Sequence, residues 1–232
     1  MGEVARSIDR ILSRIDDAAR RCGRKPEEIT LVAASKGVDL DRIREAASAG
    51  IGVFGENRVQ EARAKFLESS FLKENRSIAV HLIGPLQTNK VKQAVGFFSL
   101  IHSIDSLRLA EKVAQEAEKQ KMIQSVLIEV NVGEETTKRG VSVKEAPLLV
   151  EQVRRFVSLS LEGLMTLPPP TPEPEGARPY FATLRQLGYD LGLSRFSMGM
   201  SADFEVAIEE GATWVRVGTA IFGERKKEKK SE

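Results

Sequence analysis

Lys36 ends an apolar run, Ile29-Thr-Leu-Val-Ala-Ala-Ser35, and Gly37 follows directly. An amine in that place is either a strand end reaching water or a nucleophile held at the mouth of a pocket. Far along the chain, "SMGMSADF" and "VRVGTAIFG" supply Ser201, Gly218 and Thr219. Small residues, hydroxyls and free backbone N–H groups at a turn suit a phosphate. Two ordinary capped loops are the alternative. Arg216 precedes Gly218 by two residues and shares its side of a strand; facing inward, its guanidinium would need a partner.

The elements that must position these residues are legible from period. Glu3 to Arg21 has apolar residues at Val4, Ile8, Ile11, Leu12 and Ile15, the spacing of an amphipathic helix. Eight strand candidates follow: "ITLVAAS", "IGVFG", "SIAVHLIG", "FSLIHSI", "QSVLIEVNV", "LSLEGLMT", "SRFSMGM" and "TWVRVG". Amphipathic segments lie between them, with Asp39, Ser106 and Ser201 where N-caps are wanted and Gly50 and Gly211 where helices should stop. Eight β-then-α units predict a (β/α)8 TIM barrel with an extra N-terminal helix, a single domain over residues 1–223. An open doubly wound sheet is the competing fold, but Ser35-Lys36-Gly37 is not its glycine-rich turn. "LPPPTPEPEG", after the sixth strand, reads as a stiff surface loop.

A barrel places its site at the C-terminal ends of its strands. Glu56, Asn57, His81, Gly84, His102, Asp105, Asn131, Met165 and Thr166 all fall at or near such ends. The first and eighth strands are neighbours in a closed barrel, so Lys36 would lie within one small-molecule length of the phosphate seat. That pairing suits a phosphorylated aldehyde or ketone held as a Schiff base. Two candidates fit: a Schiff-base aldolase acting on a sugar phosphate, and a protein that binds pyridoxal 5′-phosphate (PLP).

Composition narrows the field. The chain has 232 residues, 41% hydrophobic and 29% charged, enough for a packed core. Cys22 is the one cysteine and His81 and His102 the two histidines, so disulfides and a multi-histidine metal site are not expected. The net charge of +2 resides in the last nine residues, "ERKKEKKSE", read as a disordered tail over 224–232; removing them leaves 30 basic and 30 acidic residues. No nucleic-acid face is expected, and no apolar run is long enough to span a bilayer. The charged, helical N-terminus is unlike a signal peptide, which makes the cytoplasm the expected location.

The motifs together resemble a known family. "LVAASKGV", "FGENRVQEA", "HLIGPLQTNK", "HSIDS", "GLMTLPP" and "SMGMSADFEVAIEEGATWVRVGTAIFG" look like the pyridoxal phosphate homeostasis proteins, relatives of the N-terminal barrel domain of alanine racemases. The resemblance implies PLP as cofactor, carried on Lys36 as a Schiff base. It implies that Ser201, Gly218 and Thr219 hold the phosphate and that Arg216 faces the pyridine nitrogen. Asn57, Met200 and His81 fall in matching motifs near the cofactor. Arg58 and Pro85 depart from the family pattern, which often has tyrosine and histidine there. The implied role is intracellular vitamin B6 homeostasis, with PLP-dependent apoenzymes as partners. An arginine that keeps its proton beside the ring nitrogen argues for a handler more than an enzyme, and a monomer is expected. A weak single-domain racemase or other Schiff-base lyase using the same lysine is the alternative.

Overall fold

The structure is a computed structural model that describes residues 2–135 and 138–223. The tail expected over 224–232 lies outside the described residues. The described residues form nine parallel strands: β1 (Thr30–Ala34), β2 (Val53–Glu56), β3 (Ala79–Leu82), β4 (Leu100–Ile104), β5 (Gln124–Asn131), β6 (Val141–Ser142), β7 (Leu159–Met165), β8 (Phe196–Ser197) and β9 (Trp214–Val217). Eight of them run β4-β3-β2-β1-β9-β8-β7-β5, and β4 pairs with β5 to close the ring. The predicted TIM barrel is therefore the observed one. The unpredicted strand is β6, which joins β5 at Val130 and Asn131, beyond the last β4–β5 pair at Ile128.

Closure divides the apolar residues into two layers. Val32, Ile83, Leu100, Leu127, Met165 and Trp214 fill the barrel interior, and a larger cluster lies between strands and helices. Strand period fixes the division. On β1, Val32 and Ala34 face the interior cluster while Leu31 and Ala33 belong to the outer one, so Lys36 continues the inward row.

The helix ring is less regular than the sequence period suggests. The helix after β2 is α3 (Val59–Ala62), continued by a π-helical turn (Arg63–Glu68) and then α4 (Phe71–Glu74). After β3 come a 3-10 turn (Thr88–Lys90) and α5 (Val91–Ala94). The regular helices are α2 (Leu40–Ser48), α6 (Leu107–Lys119), α7 (Ala146–Arg154), α8 (Arg178–Asp190) and α9 (Phe204–Glu209), with α10 (Thr219–Phe222) after β9. Asp39 and Ser106 cap α2 and α6 as expected, accepting from the N–H groups of Arg42 and Leu109. Ser201 is not a cap. The chain turns through 201–203 before α9 starts at Phe204, because Asp203 Oδ1 takes the Met200 N–H (2.6 Å) and holds that turn.

The N-terminal helix α1 (Glu3–Arg21) occupies the place that the four-residue α10 is too short to fill, packing on α2, α9 and α10. Val4, Ile8, Ile11 and Ile15 are buried as predicted, whereas Leu12 is 44% exposed. Arg14 ties α1 to α9 through both carboxylate oxygens of Glu205, at 3.2 and 2.8 Å. Ile8 has no exposed surface, so Ile8→Ala should destabilise the chain by about 3 kcal/mol through lost burial and a residual cavity. Urea unfolding would measure this, and a loss below about 1 kcal/mol would show that α1 is not integral to the ring.

Candidate functional site

Lys36 stands on a turn that is fixed from behind. Gly37 has φ +70°, a conformation that side chains with a Cβ rarely adopt. Its N–H donates to Glu61 Oε1 at 2.6 Å. The π-helical turn brings Lys65 back beneath β1, where its Nζ donates to the Ser35 carbonyl (2.7 Å), Glu56 Oε1 (3.0 Å) and Glu61 Oε1 (2.6 Å). Ser35 Oγ also donates to Glu56 Oε1 at 2.7 Å. Glu56 is fully buried, and burial pushes its carboxyl up against the opposing pull of Lys65. These partners all approach from the helix side of β1, leaving the Lys36 amine on the inner side.

The cavity at the barrel mouth has two lobes that share Asn57. One, of about 410 Å³, is bounded by Ala34, Ile83, Leu167 and Met200 as an apolar wall and by Ser201, Arg216, Gly218 and Thr219. The other, of about 340 Å³, contains Lys36 with Arg58, Lys90 and Arg139. Ser201 Oγ sits among the first groups of α10, accepting from the N–H of Gly218 (3.3 Å) and of Ala220 (3.5 Å) and from the Thr219 hydroxyl (3.1 Å). Gly84 permits the close packing of the β3 loop on the loop after β2: a Cβ there would lie 2.6 Å from the backbone of Asn57.

Arg216 enters the barrel interior and finds neutral partners. Its guanidinium donates to Ser197 Oγ (2.5 Å) and to the Thr166 carbonyl (2.8 Å). Burial lowers it to about 10, opposed by the charges of Asp203 and Glu129. An arginine only donates, so the Ser197 hydroxyl hydrogen is left for His102 Nδ1 (2.9 Å), and His102 Nε2 then meets His81 Nδ1 at 3.0 Å. Burial, with the charge of Arg195, lowers His81 to about 4, and burial also holds His102 well below the imidazole range. Both rings are neutral at ordinary pH.

Of the residues expected at the site, Lys36, Asn57, Met200, Ser201, Arg216, Gly218 and Thr219 line the two lobes. His81 lines neither; its ring is turned to His102 inside the barrel. Lys65 escaped the sequence reading, as did two residues inside the barrel. Ser197 is the hinge of the Arg216–histidine chain. Glu129 on β5 is a buried carboxyl raised to about 7, by burial first and then by Asp105, with Arg216 and Arg139 opposing. Period alone could have placed it, since it lies two residues beyond interior Leu127.

Comparison with known proteins settles the relationship. The family described as alanine racemase, N-terminal domain, matches residues 7–226. A pyridoxal phosphate homeostasis protein of Aquifex aeolicus (strain VF5) is 47% identical over 225 residues, 94% of this chain and 97% of the relative.

The chain belongs to the pyridoxal phosphate homeostasis protein family.

A member of that family from Pseudomonas aeruginosa is 41% identical, covering 97% of each chain. Among solved structures, PipY of Synechococcus elongatus PCC7942 with PLP bound superposes at TM-score 0.79, with 34% identity, 92% of this chain and 100% of PipY. An alanine racemase of Clostridium difficile 630 shares the fold at TM-score 0.71 and 13% identity, over 96% of this chain and 56% of the racemase. This family member thus matches the homeostasis proteins of Aquifex aeolicus and Pseudomonas aeruginosa, and PipY, over nearly their whole length.

Two outcomes test the site's architecture. Lys65→Met strands the buried Glu56 carboxylate, so it should cost about 3 kcal/mol. Adding Glu56→Gln should recover most of that loss in a urea double-mutant cycle; simple additivity would show that the two do not act together. Glu129 is raised by folding above its ordinary 4.5, so the folded chain keeps a proton that the unfolded chain gives up. Its contribution to stability therefore falls as pH rises between about 4.5 and 7. Glu129→Gln should gain on the native chain across that window and level off above it, at on the order of 3 kcal/mol. A pH-independent difference in melting would contradict this.

Proposed function

We propose that the chain binds PLP, holds it covalently through Lys36, and takes part in intracellular PLP homeostasis. The observation that carries this reading is the meeting, at one barrel mouth, of the inward-turned Lys36 and a seat built from Ser201, Gly218 and Thr219, with Asn57 lining both. The residues suit the cofactor. The apolar wall of Ala34, Ile83, Leu167 and Met200 accommodates a flat ring, while the hydroxyls and N–H groups offer donors to a phosphate. PLP, when bound, supplies an aldehyde open to reversible capture by amines and an electron-withdrawing ring.

Each residue then has one task. Ser201 and Thr219 would hold the phosphate end with their hydroxyls, beside the N–H groups of Gly218 and Ala220 that donate to Ser201 Oγ. Arg216, anchored on Ser197 and Thr166, offers a donor that does not release its proton, so a ring nitrogen beside it stays unprotonated. That disfavours proton chemistry at carbon and favours simple holding and exchange. Asn57 supplies an amide between the lobes. Met200, 39% exposed at the rim, would add apolar surface for the ring. His81 acts through His102 and Ser197 on Arg216 and is a positioning residue.

The reading extends to a monomeric, cytoplasmic protein of one domain over residues 1–223, exchanging PLP with PLP-dependent apoenzymes. The names of its relatives support the homeostasis role, and the PLP-bound PipY structure supports the cofactor. No helix of the described residues is long and apolar enough to cross a membrane.

The protein should show a visible absorbance band with PLP that borohydride removes, and peptide mass should place the reduced label on Lys36. Lys36→Ala should lose both. Ser201→Ala with Thr219→Val should weaken PLP retention about tenfold or more, as two hydrogen bonds to an anion are removed. A band that survives Lys36→Ala, or a label scattered over surface lysines, would overturn the reading.

A further inference from the structure

The lobe that contains Lys36 has an electrostatic character of its own. Arg58, Lys90 and Arg139 line it together with Lys36, and no carboxylate does. Asn57, Gln60 and Gln87 add neutral amides. Among the described residues, Arg58 and Lys90 form no ion pair, and Arg139 reaches Asp105 only at 3.7 Å. The acid whose charge Arg58 feels, Glu61, is already held by Lys65 Nζ and the Gly37 N–H, each at 2.6 Å. General basicity does not account for the cluster. Outside the last nine residues the chain has 30 basic and 30 acidic side chains.

Like charges on a flexible surface spread apart into water. Here they converge on a concave space with amide donors between them, the arrangement that binds an oxyanion. The lobe also differs in kind from the Ser201–Thr219 seat. That seat offers hydroxyls and backbone N–H groups of fixed geometry, whereas this one offers long cationic side chains. A cavity of about 340 Å³ admits a small molecule.

We infer that this lobe is a second anion site, which takes a small, doubly charged oxyanion of the class shared by phosphate monoesters and short dicarboxylates. Arg58 and Lys90, both without carboxylate partners among the described residues, match two negative charges beside the Lys36 amine. An occupant would lie beside the Lys36 amine, on the solvent side of the Ser201–Thr219 seat. Its presence would govern access to that amine. This last consequence rests on the PLP reading, whereas the site itself does not.

The test is calorimetric titration of the full chain carrying Ser201→Ala and Thr219→Val, so that the other seat does not mask the signal. Inorganic phosphate, succinate and acetate are the probes, at low salt and at about 0.15 M salt. Phosphate should bind one to one and weaken with salt. Adding Arg58→Ala and Lys90→Ala should weaken it about tenfold, the loss expected for two part-exposed charges. Both are peripheral side chains, and an unchanged melting temperature verifies that the fold is intact. Succinate binding as well as phosphate would mean that the site reads charge; phosphate alone would mean that it reads the phosphate group. Acetate binding as tightly as phosphate, or phosphate affinity untouched by the two substitutions, would overturn the inference. The borohydride label on Lys36 is read separately, with PLP and the native chain. Loss of that label with phosphate binding retained defeats the PLP reading alone, and the converse defeats this site alone.

Discussion

A guanidinium buried inside a closed barrel is the constraint on which this structure turns. Arg216 lies on β9 with 4% of its surface exposed, and none of its hydrogen-bond partners is a carboxylate. Desolvating such a charge costs several kcal/mol unless its donors are satisfied. The Ser197 hydroxyl and the Thr166 carbonyl do that, with Asp203 and Glu129 contributing charge at longer range. The arrangement has consequences deeper in the barrel. Because Ser197 accepts from Arg216, it is left to donate to His102, and the tautomers of both histidines follow. Burial keeps those rings neutral, so a second uncompensated charge never develops beside the first.

The same strand fixes the relation between Arg216 and Lys36. Val32 pairs with Arg216 across β1 and β9, and Lys36 lies on the turn that follows β1, four residues after Val32. One side chain is therefore within the barrel and the other at its rim. Lys36 needs no interior partner to hold it, because its turn is clamped from the helix side by Lys65, Glu56 and Glu61. The clamp has its own strain: one oxygen of Glu56 is buried without a hydrogen-bond partner. A fully buried carboxylate is tolerated here because Lys65 and Ser35 both reach its other oxygen.

Much of this was legible in the sequence, for specific reasons. Period two along β1 aims Lys36 inward, and the spacing of Arg216 and Gly218 puts a charge and a turn on one strand face. Helix α1 was read to its ends because its apolar stripe is strict and nothing interrupts it. Ser201 was read as a helix cap, yet Asp203 holds the local turn and frees the Ser201 hydroxyl to meet α10. That exchange of roles depends on a loop conformation which neither period nor propensity reports. Lys65 was invisible for a different reason. A lysine on a polar helix face reads as solvated, and only the wider π-helical turn carries it beneath β1. Glu129 was hidden within the apolar centre of β5, between Ile128 and Val130, where the outline of burial shows but a single inward carboxyl does not stand out.

The placement of charge along the barrel axis makes one further point. Neutral or neutralised groups predominate in the interior, where an unpaired ion is most costly, and one arginine is accommodated there by dipoles. Cations without carboxylate partners gather instead at the rim, where water still screens them and their mutual repulsion is small. An anion arriving from solvent meets that rim first. It is attracted over a distance set by ionic strength, and on the proposed reading only then meets the short-range seat of Ser201, Gly218 and Thr219. On the proposed reading, capture by charge and selection by geometry would fall to different residues, and the shared Asn57 is where the two lobes meet. A single seat could not serve both ends equally well. Cations dense enough to attract from afar would hold any anion once it arrived, whereas fixed hydroxyls and backbone N–H groups select one shape but reach only to contact distance.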